Sequence, residues 1–146
     1  MKKIIVLFVS TLFVGASLVS CSSDDDKPSN SAKIVGKWHL TKITETAGDE
    51  VWEEDYEHDC PTKKDYFEFK GDGTYDEVYY DEDCLIDWEE TNNWSITNGT
   101  ILNLIYSEND SESFEIQTLN NSVMIITQTE EYEGEVYTLK AEFKRH

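Results

Sequence analysis

The second half of this chain is punctuated by short groups of residues that turn a backbone sharply. Gly71-Asp72-Gly73, Asn98-Gly99, Asn109-Asp110, Asn120-Asn121 and Glu133-Gly134 recur at short intervals. Gly, Asn and Asp accept positive φ at little cost, and pairs of them between apolar runs favour hairpins. The stretches between are rich in Tyr, Thr, Val, Ile, Phe and Trp, and from Lys33 onward proline occurs only at Pro61. These are strand residues. No segment of the same region sustains a 3.6-residue apolar period over three turns, so no long helix is expected there. A chain divided in this way is restricted to antiparallel strands joined to their neighbours in sequence.

The turns predict strands at Ile34 to Glu45, Asp65 to Lys70, Thr74 to Asp81, Leu85 to Thr97 (broken near Asn92), Thr100 to Tyr106, Glu112 to Leu119, Ser122 to Tyr132 and Glu135 to Lys144. The fold class is therefore all-β: an antiparallel up-and-down meander of about eight strands. Closure into a β-barrel hides the two edges of such a meander, with a two-layer sandwich as the open alternative. Alternation places Gly36, Trp38 and Leu40 on one face against Lys37, His39 and Thr41. Phe67 and Phe69 oppose Glu68 and Lys70, while Phe114 and Ile116 oppose Glu115 and Gln117. Tyr137, Leu139, Ala141 and Phe143 oppose Lys140, Glu142 and Lys144. Ile101 to Ile105 and Val123 to Ile126 are continuous apolar runs, and their faces are not set by alternation.

The amino terminus follows a different logic. Lys2 and Lys3 precede an apolar run from Ile4 to Val19, which is short for a span of about 20 residues and reads as a secretory signal over residues 1–20. Its end, Leu18-Val19-Ser20-Cys21, resembles the lipobox of bacterial lipoproteins. That resemblance implies cleavage before Cys21, lipid attachment to its thiol and usually an acyl chain on its amine. Two or more chains anchor a protein stably in a membrane, where one binds marginally. Residues 21–31, beginning Cys-Ser-Ser-Asp-Asp-Asp, are polar and form a flexible acidic tether. The acidic run after the cysteine also resembles the surface-export signal of lipoproteins in one phylum of Gram-negative bacteria. The expected location is the outer membrane, facing the cell surface, with a periplasm-facing anchor as the alternative.

The rest, residues 32–146, has the length of one domain. Without Lys2 and Lys3, ten basic residues face 31 acidic ones, a net charge of −21. Nucleic acid is a poor partner for such a surface, because phosphate backbones are bound by clustered Lys and Arg. Apart from Cys21 the cysteines are Cys60 and Cys84. A lone pair in a small exported domain reads as one disulfide, against free thiols or a redox or metal pair, which no C-x-x-C and no suitably placed histidine support.

Several segments together are similar to the lipocalin-like domain of small bacterial lipoproteins. They are IVGKWHLTKI with its Gly36-Lys37-Trp38, a cysteine ahead of DYFEFKGDGTY, a second cysteine after that hairpin, WSITNGTILNL and FEIQTLNNSVMIIT. The resemblance implies a lipocalin-like β-barrel over residues 32–146. It implies that Gly36 bends the chain at the barrel's closed end, that Trp38 plugs that end, and that Arg145 stacks on Trp38. No segment corresponds to the helix that packs outside longer lipocalins, and a small barrel can fill its interior with side chains.

Catalytic signatures are missing from the sequence. It has no G-x-S-x-G, no H-E-x-x-H and no glycine-rich phosphate loop, so no enzymatic activity and no cofactor are expected. His39, His58 and His146 are scattered and read as surface residues. Acidic clusters lie at Glu53 to Asp59 and at Asp81 to Asp83 with Asp87, Glu89 and Glu90. Oxygen ligands suit Ca²⁺, but without a D-x-D-x-D-G loop they read as solvated loops and no metal site is assigned. Among these acids stand Trp52, Tyr56, Tyr79, Tyr80 and Trp88, and this group is the candidate ligand-binding surface at the barrel mouth. The expected function is that of an anchored barrel holding a small ligand. The alternative is a filled barrel acting as a structural or interaction protein.

Overall fold

The computed structural model describes residues 29–146. The signal segment, Cys21 and the acidic run lie outside the described residues. Asn30 and Ser31, assigned above to the tether, belong instead to a short helix α1, Asn30–Ile34. Nine strands follow: β1 Gly36–Ala47, β2 Glu50–Asp55, β3 Tyr66–Phe69, β4 Thr74–Tyr80, β5 Ile86–Thr97, β6 Ile101–Ser107, β7 Asp110–Leu119, β8 Val123–Tyr132 and β9 Glu135–Arg145. All form one antiparallel sheet that closes where β1 pairs with β9, so eight strands make a barrel as expected.

The ninth strand, β2, was not expected. Glu50-Val-Trp-Glu-Glu-Asp55 is acidic and wholly exposed, so it lacks the apolar alternation of a half-buried strand. A two-residue turn at Gly48-Asp49, with Gly48 at φ +56°, folds it back onto β1. β1 thus shares one edge between two partners. Gly36 to Trp38 pair with β3, and Lys42 to Ala47 pair with β2. Contrary to the expected break, Asn92 does not interrupt its strand; β5 runs uninterrupted, and Asn92 is buried opposite Tyr75.

The two ambiguous apolar runs resolve cleanly. Leu102, Leu104, Met124 and Ile126 point inward and are buried, while Ile101, Ile105, Val123 and Ile125 stay partly exposed outside. They join Trp38, Phe69, Tyr75, Trp94, Phe114 and Phe143 in one core inside the barrel. A bulge between Leu40 and Lys42 shifts the alternation of β1, so that Ile43 and Glu45 continue the inward face of Leu40.

A smaller packed region lies on the outer wall. Residues 56–65 leave the sheet between β2 and β3 and are joined by the Cys60–Cys84 disulfide to the turn after β4. Under this loop Val78, Cys60, His39 and Asp65 are all less than a tenth exposed. His39 does point outward, but it is not a surface residue as expected, because the loop covers it. Its Nδ1 lies 2.7 Å from the Asp65 carbonyl oxygen and its Nε2 lies 2.8 Å from His146 Nδ1. His58 is also largely covered, with Nδ1 within 3.2 Å of the Asp65 carboxylate, while His146 is exposed.

Candidate functional site

At the closed end the side chains fill the space. Ser29 caps α1 by accepting from Ala32 N–H, and the helix sets Ile34 over the barrel. Trp38 Nε1 donates to the Ile34 carbonyl oxygen at 2.6 Å, and neither residue is exposed. The Arg145 guanidinium stacks on Trp38, 4.3 Å from the ring centroid, as a cation–π pair. Its two terminal nitrogens donate to the Lys33 and Val35 carbonyl oxygens. Gly36 has φ +126°, and a Cβ there would lie 2.6 Å from Arg145 Nη1. Gly36, Trp38 and Arg145 therefore form the barrel-end device that the sequence suggested.

Toward the open end the interior holds a cavity of about 220 Å³. Its walls are mostly apolar, including Leu40, Phe67, Leu104, Phe114 and Phe143, but two carboxylates, Glu77 and Glu112, also line it. Glu77 accepts from Tyr79 Oη at 2.7 Å, and Glu112 accepts from Tyr106 Oη at 3.2 Å. Glu90 stands directly across from Glu77 in the β4–β5 ladder. Like charges so placed repel. Burial, with Glu90 and Glu112 nearby, holds the Glu77 carboxyl above the usual glutamate range, although Tyr79 opposes the shift. Burial and then Glu112 push the Tyr106 phenol up to about 12. Beside these groups Tyr75 Oη and Asn92 Nδ2 are buried without a hydrogen-bond partner among the described residues. An apolar chamber with the carboxylates of Glu77 and Glu112 at one side suits a small ligand with an apolar body and a hydrogen-donating, positively charged head.

The five aromatic residues proposed from sequence do not converge on one site, and none of them lines this cavity. Tyr79 reaches it indirectly through Glu77, and Trp88 packs against Tyr79 with ring centroids 5.6 Å apart. Trp52 pairs with Glu45, so it shares the inward face of β1, but it is half-exposed in a shallow groove with Ile43 and Glu54. Tyr56 lies in the outer loop, where its hydroxyl donates to Asp65 and its ring meets His58. Tyr80 lines a separate cleft on the outer wall. The residues that the sequence reading missed are Glu77, Glu112, Tyr75, Tyr106 and Asn92. Glu77 alternates with Tyr75 and Tyr79 in TYDEVYY, and that inward parity was the available signal. Among the described residues, no three His, Cys, Asp or Glu side chains are grouped so as to hold a metal ion.

A family model for the lipocalin-like domain matches residues 34–126. The chain belongs to the lipocalin-like domain family. No curated protein matches it. Its barrel is similar to that of a lipocalin-like protein from Bacteroides uniformis, with a TM-score of 0.55, 17% identity, and coverage of 78% of this chain and 99% of that one. Weaker likeness reaches lobster apocrustacyanin A1, with a TM-score of 0.48, 11% identity, and coverage of 79% of this chain and 62% of that one. Bovine odorant-binding protein in complex with a selenium-containing odorant has a TM-score of 0.44 and 13% identity, and the match covers 86% of this chain and 78% of that one. At these identities the likeness establishes the lipocalin fold alone. The match to the family model begins at Ile34, inside α1, and takes in Gly36, Trp38 and both cysteines of the disulfide.

Proposed function

We propose that this lipocalin-like protein binds a small organic amine inside the barrel and catalyses no reaction. Glu77 carries the reading. It is a carboxylate in a mostly apolar cavity, facing Glu90 across the ladder, with the Glu112 carboxylate in the same lining. A ligand ammonium would relieve the repulsion among the carboxylates, and its apolar body would replace water against Leu104 and Phe114. At about 220 Å³ the chamber is smaller than the roughly 300–1,000 Å³ of drug-sized sites, so short-chain amines fit the reading best. Calorimetric titration of the full chain with butylamine, hexylamine and the matching alcohols and carboxylates tests it. The amines should bind best, and Glu77→Gln should weaken them about tenfold or more. Equal binding of the three head groups, or no binding, would overturn the reading.

The exposed apolar rim supports a second reading, in which the open end docks on a protein. Val51, Trp52, Leu85, Ile86, Trp88, Tyr132, Val136 and Tyr137 are exposed and all lie on strands or turns at that end. The lipobox at Cys21 and the aspartates after it further support lipid anchoring in the outer membrane with the barrel at the cell surface. Labelling of growing cells with an alkyne-bearing palmitate should mark the full chain and not Cys21→Ala. Protease treatment of intact cells should remove the barrel if it faces outward and spare it if it faces the periplasm.

A further inference from the structure

On the outer wall, beneath the closed end, β1, β3, β4 and β9 frame a cleft of about 540 Å³ with the disulfide-linked loop. Its lining includes Lys37, Lys63, Lys64, Lys144 and Arg145, together with His39 and His146, and it contains no Asp or Glu. That composition runs against the chain. Setting aside Lys2, Lys3, Lys27 and Asp24 to Asp26, nine basic residues face 28 acidic ones, yet five of the nine meet here.

Most of the other lysines have carboxylate partners. Lys42 pairs with Glu53, Lys70 with Asp76 and Lys140 with Glu142. In the cleft, among the described residues, only Lys37 has one, Glu68 at 3.4 Å. Lys63 Nζ donates to the Cys84 carbonyl oxygen and lies over the Tyr80 ring. Lys64 and Lys144 have no ion pair among the described residues. The nearby Asp65 carboxylate already accepts from Tyr80 N–H and Tyr56 Oη and lies beside His58. Arg145 Nε is buried without a partner among the described residues. Tyr66 and Tyr80 add aromatic surface to the lining, their ring centroids 6.5 Å apart. Lysines cluster against their mutual repulsion only at a cost, and a multiply charged anion offsets it.

We infer that this cleft binds a phosphate group, with Lys64 and Lys144 as its main cationic contacts. The site is separate from the barrel cavity, with which it shares no lining residue. A chain with so large a negative charge repels anions overall, so saturable anion binding reports this local cluster. Inorganic pyrophosphate in calorimetry of the full chain probes a soluble phosphate. Flotation with phosphatidylglycerol vesicles, against phosphatidylcholine vesicles, probes a lipid headgroup. The double variant Lys64→Gln/Lys144→Gln should lose about tenfold or more in whichever arm binds. Lys42→Gln/Lys140→Gln removes the same charge elsewhere and should change binding less than about twofold. Pyrophosphate binding assigns a soluble ligand, and vesicle binding alone assigns a headgroup. Binding in neither arm, or equal losses in both double variants, would overturn the inference. Alkylamine binding should survive Lys64→Gln/Lys144→Gln, which keeps this test distinct from that of the barrel cavity.

Discussion

At the closed end of the barrel Trp38 donates to Ile34 and carries the Arg145 guanidinium on its face, and that guanidinium leaves no room for a Cβ on Gly36. At the open end Glu77 faces Glu90, and Trp52 and Trp88 project from the rim. One end packs its apolar groups tightly and gives Trp38 Nε1 and both terminal nitrogens of Arg145 carbonyl partners, which is how a fold gains stability. The other sets like charges opposite each other and leaves apolar surface exposed, as binding sites do. The same sheet supports both because its long strands, such as β1 and β9, run from one end to the other, so rigidity at one end positions the carboxylates at the other.

Tryptophan truncation should break this contrast most visibly. Trp38→Ala should cost about 3–5 kcal/mol in urea unfolding, since it empties a fully buried site and strands Arg145. Trp88→Ala, at the exposed rim, should cost under about 1 kcal/mol. Comparable losses at both positions would mean that the open end is as much a part of the core as the closed one. Replacing Cys60 and Cys84 together by serine should cost about 3 kcal/mol, because the bridge closes a loop of sequence separation 24. Amine binding should persist in that variant, as the loop lies outside the barrel. Gly36→Ala should cost about 1–3 kcal/mol through its left-handed φ and the contact with Arg145.

The smallest effects are those of pH, and they have opposite signs on the outer wall and in the barrel cavity. His39, held below the usual histidine range mainly by burial, takes up a proton more readily when unfolded. Its contribution to stability is therefore lost as pH falls through the ordinary histidine range. Glu77, held above the usual glutamate range, binds its proton more tightly when folded. Its contribution is present at pH below the ordinary glutamate range and is lost as pH rises through the raised value. Urea midpoints of His39→Gln and Glu77→Gln across the acid range should each flatten one of these two slopes. A variant that flattens neither would show that the group is solvated in the folded protein.

The eight barrel strands were legible because their turns are chemical signals. Asn98-Gly99 and Glu133-Gly134 sit at positive φ where the hairpins form, and Phe67, Phe69, Phe114 and Phe143 alternate as half-buried strands must. β2 escaped notice because its residues are all exposed, and only Gly48-Asp49 announced it. The aromatic site proposed from sequence grouped Trp52, Tyr56, Tyr79, Tyr80 and Trp88 by their nearness to acids along the chain. Alternation sends Tyr79 and Tyr80 to opposite sides of the wall, so neighbours in sequence serve different sites.

By itself the sequence determined an antiparallel meander, while its closure into a barrel rather than a sandwich, the pairing of Cys60 with Cys84 and the meeting of Trp38 with Arg145 were expectations that the structure shows to hold. Each follows from local turn chemistry, from having a single pair of cysteines in the domain, or from the closure that sets the first strand beside the last. Only the tertiary structure decided that Glu77 and Glu112 share a chamber and that lysines from β1, β9 and the disulfide loop gather in one cleft. Those groups are far apart in the chain. Their convergence depends on the register and curvature of the closed sheet, which no stretch of sequence encodes alone.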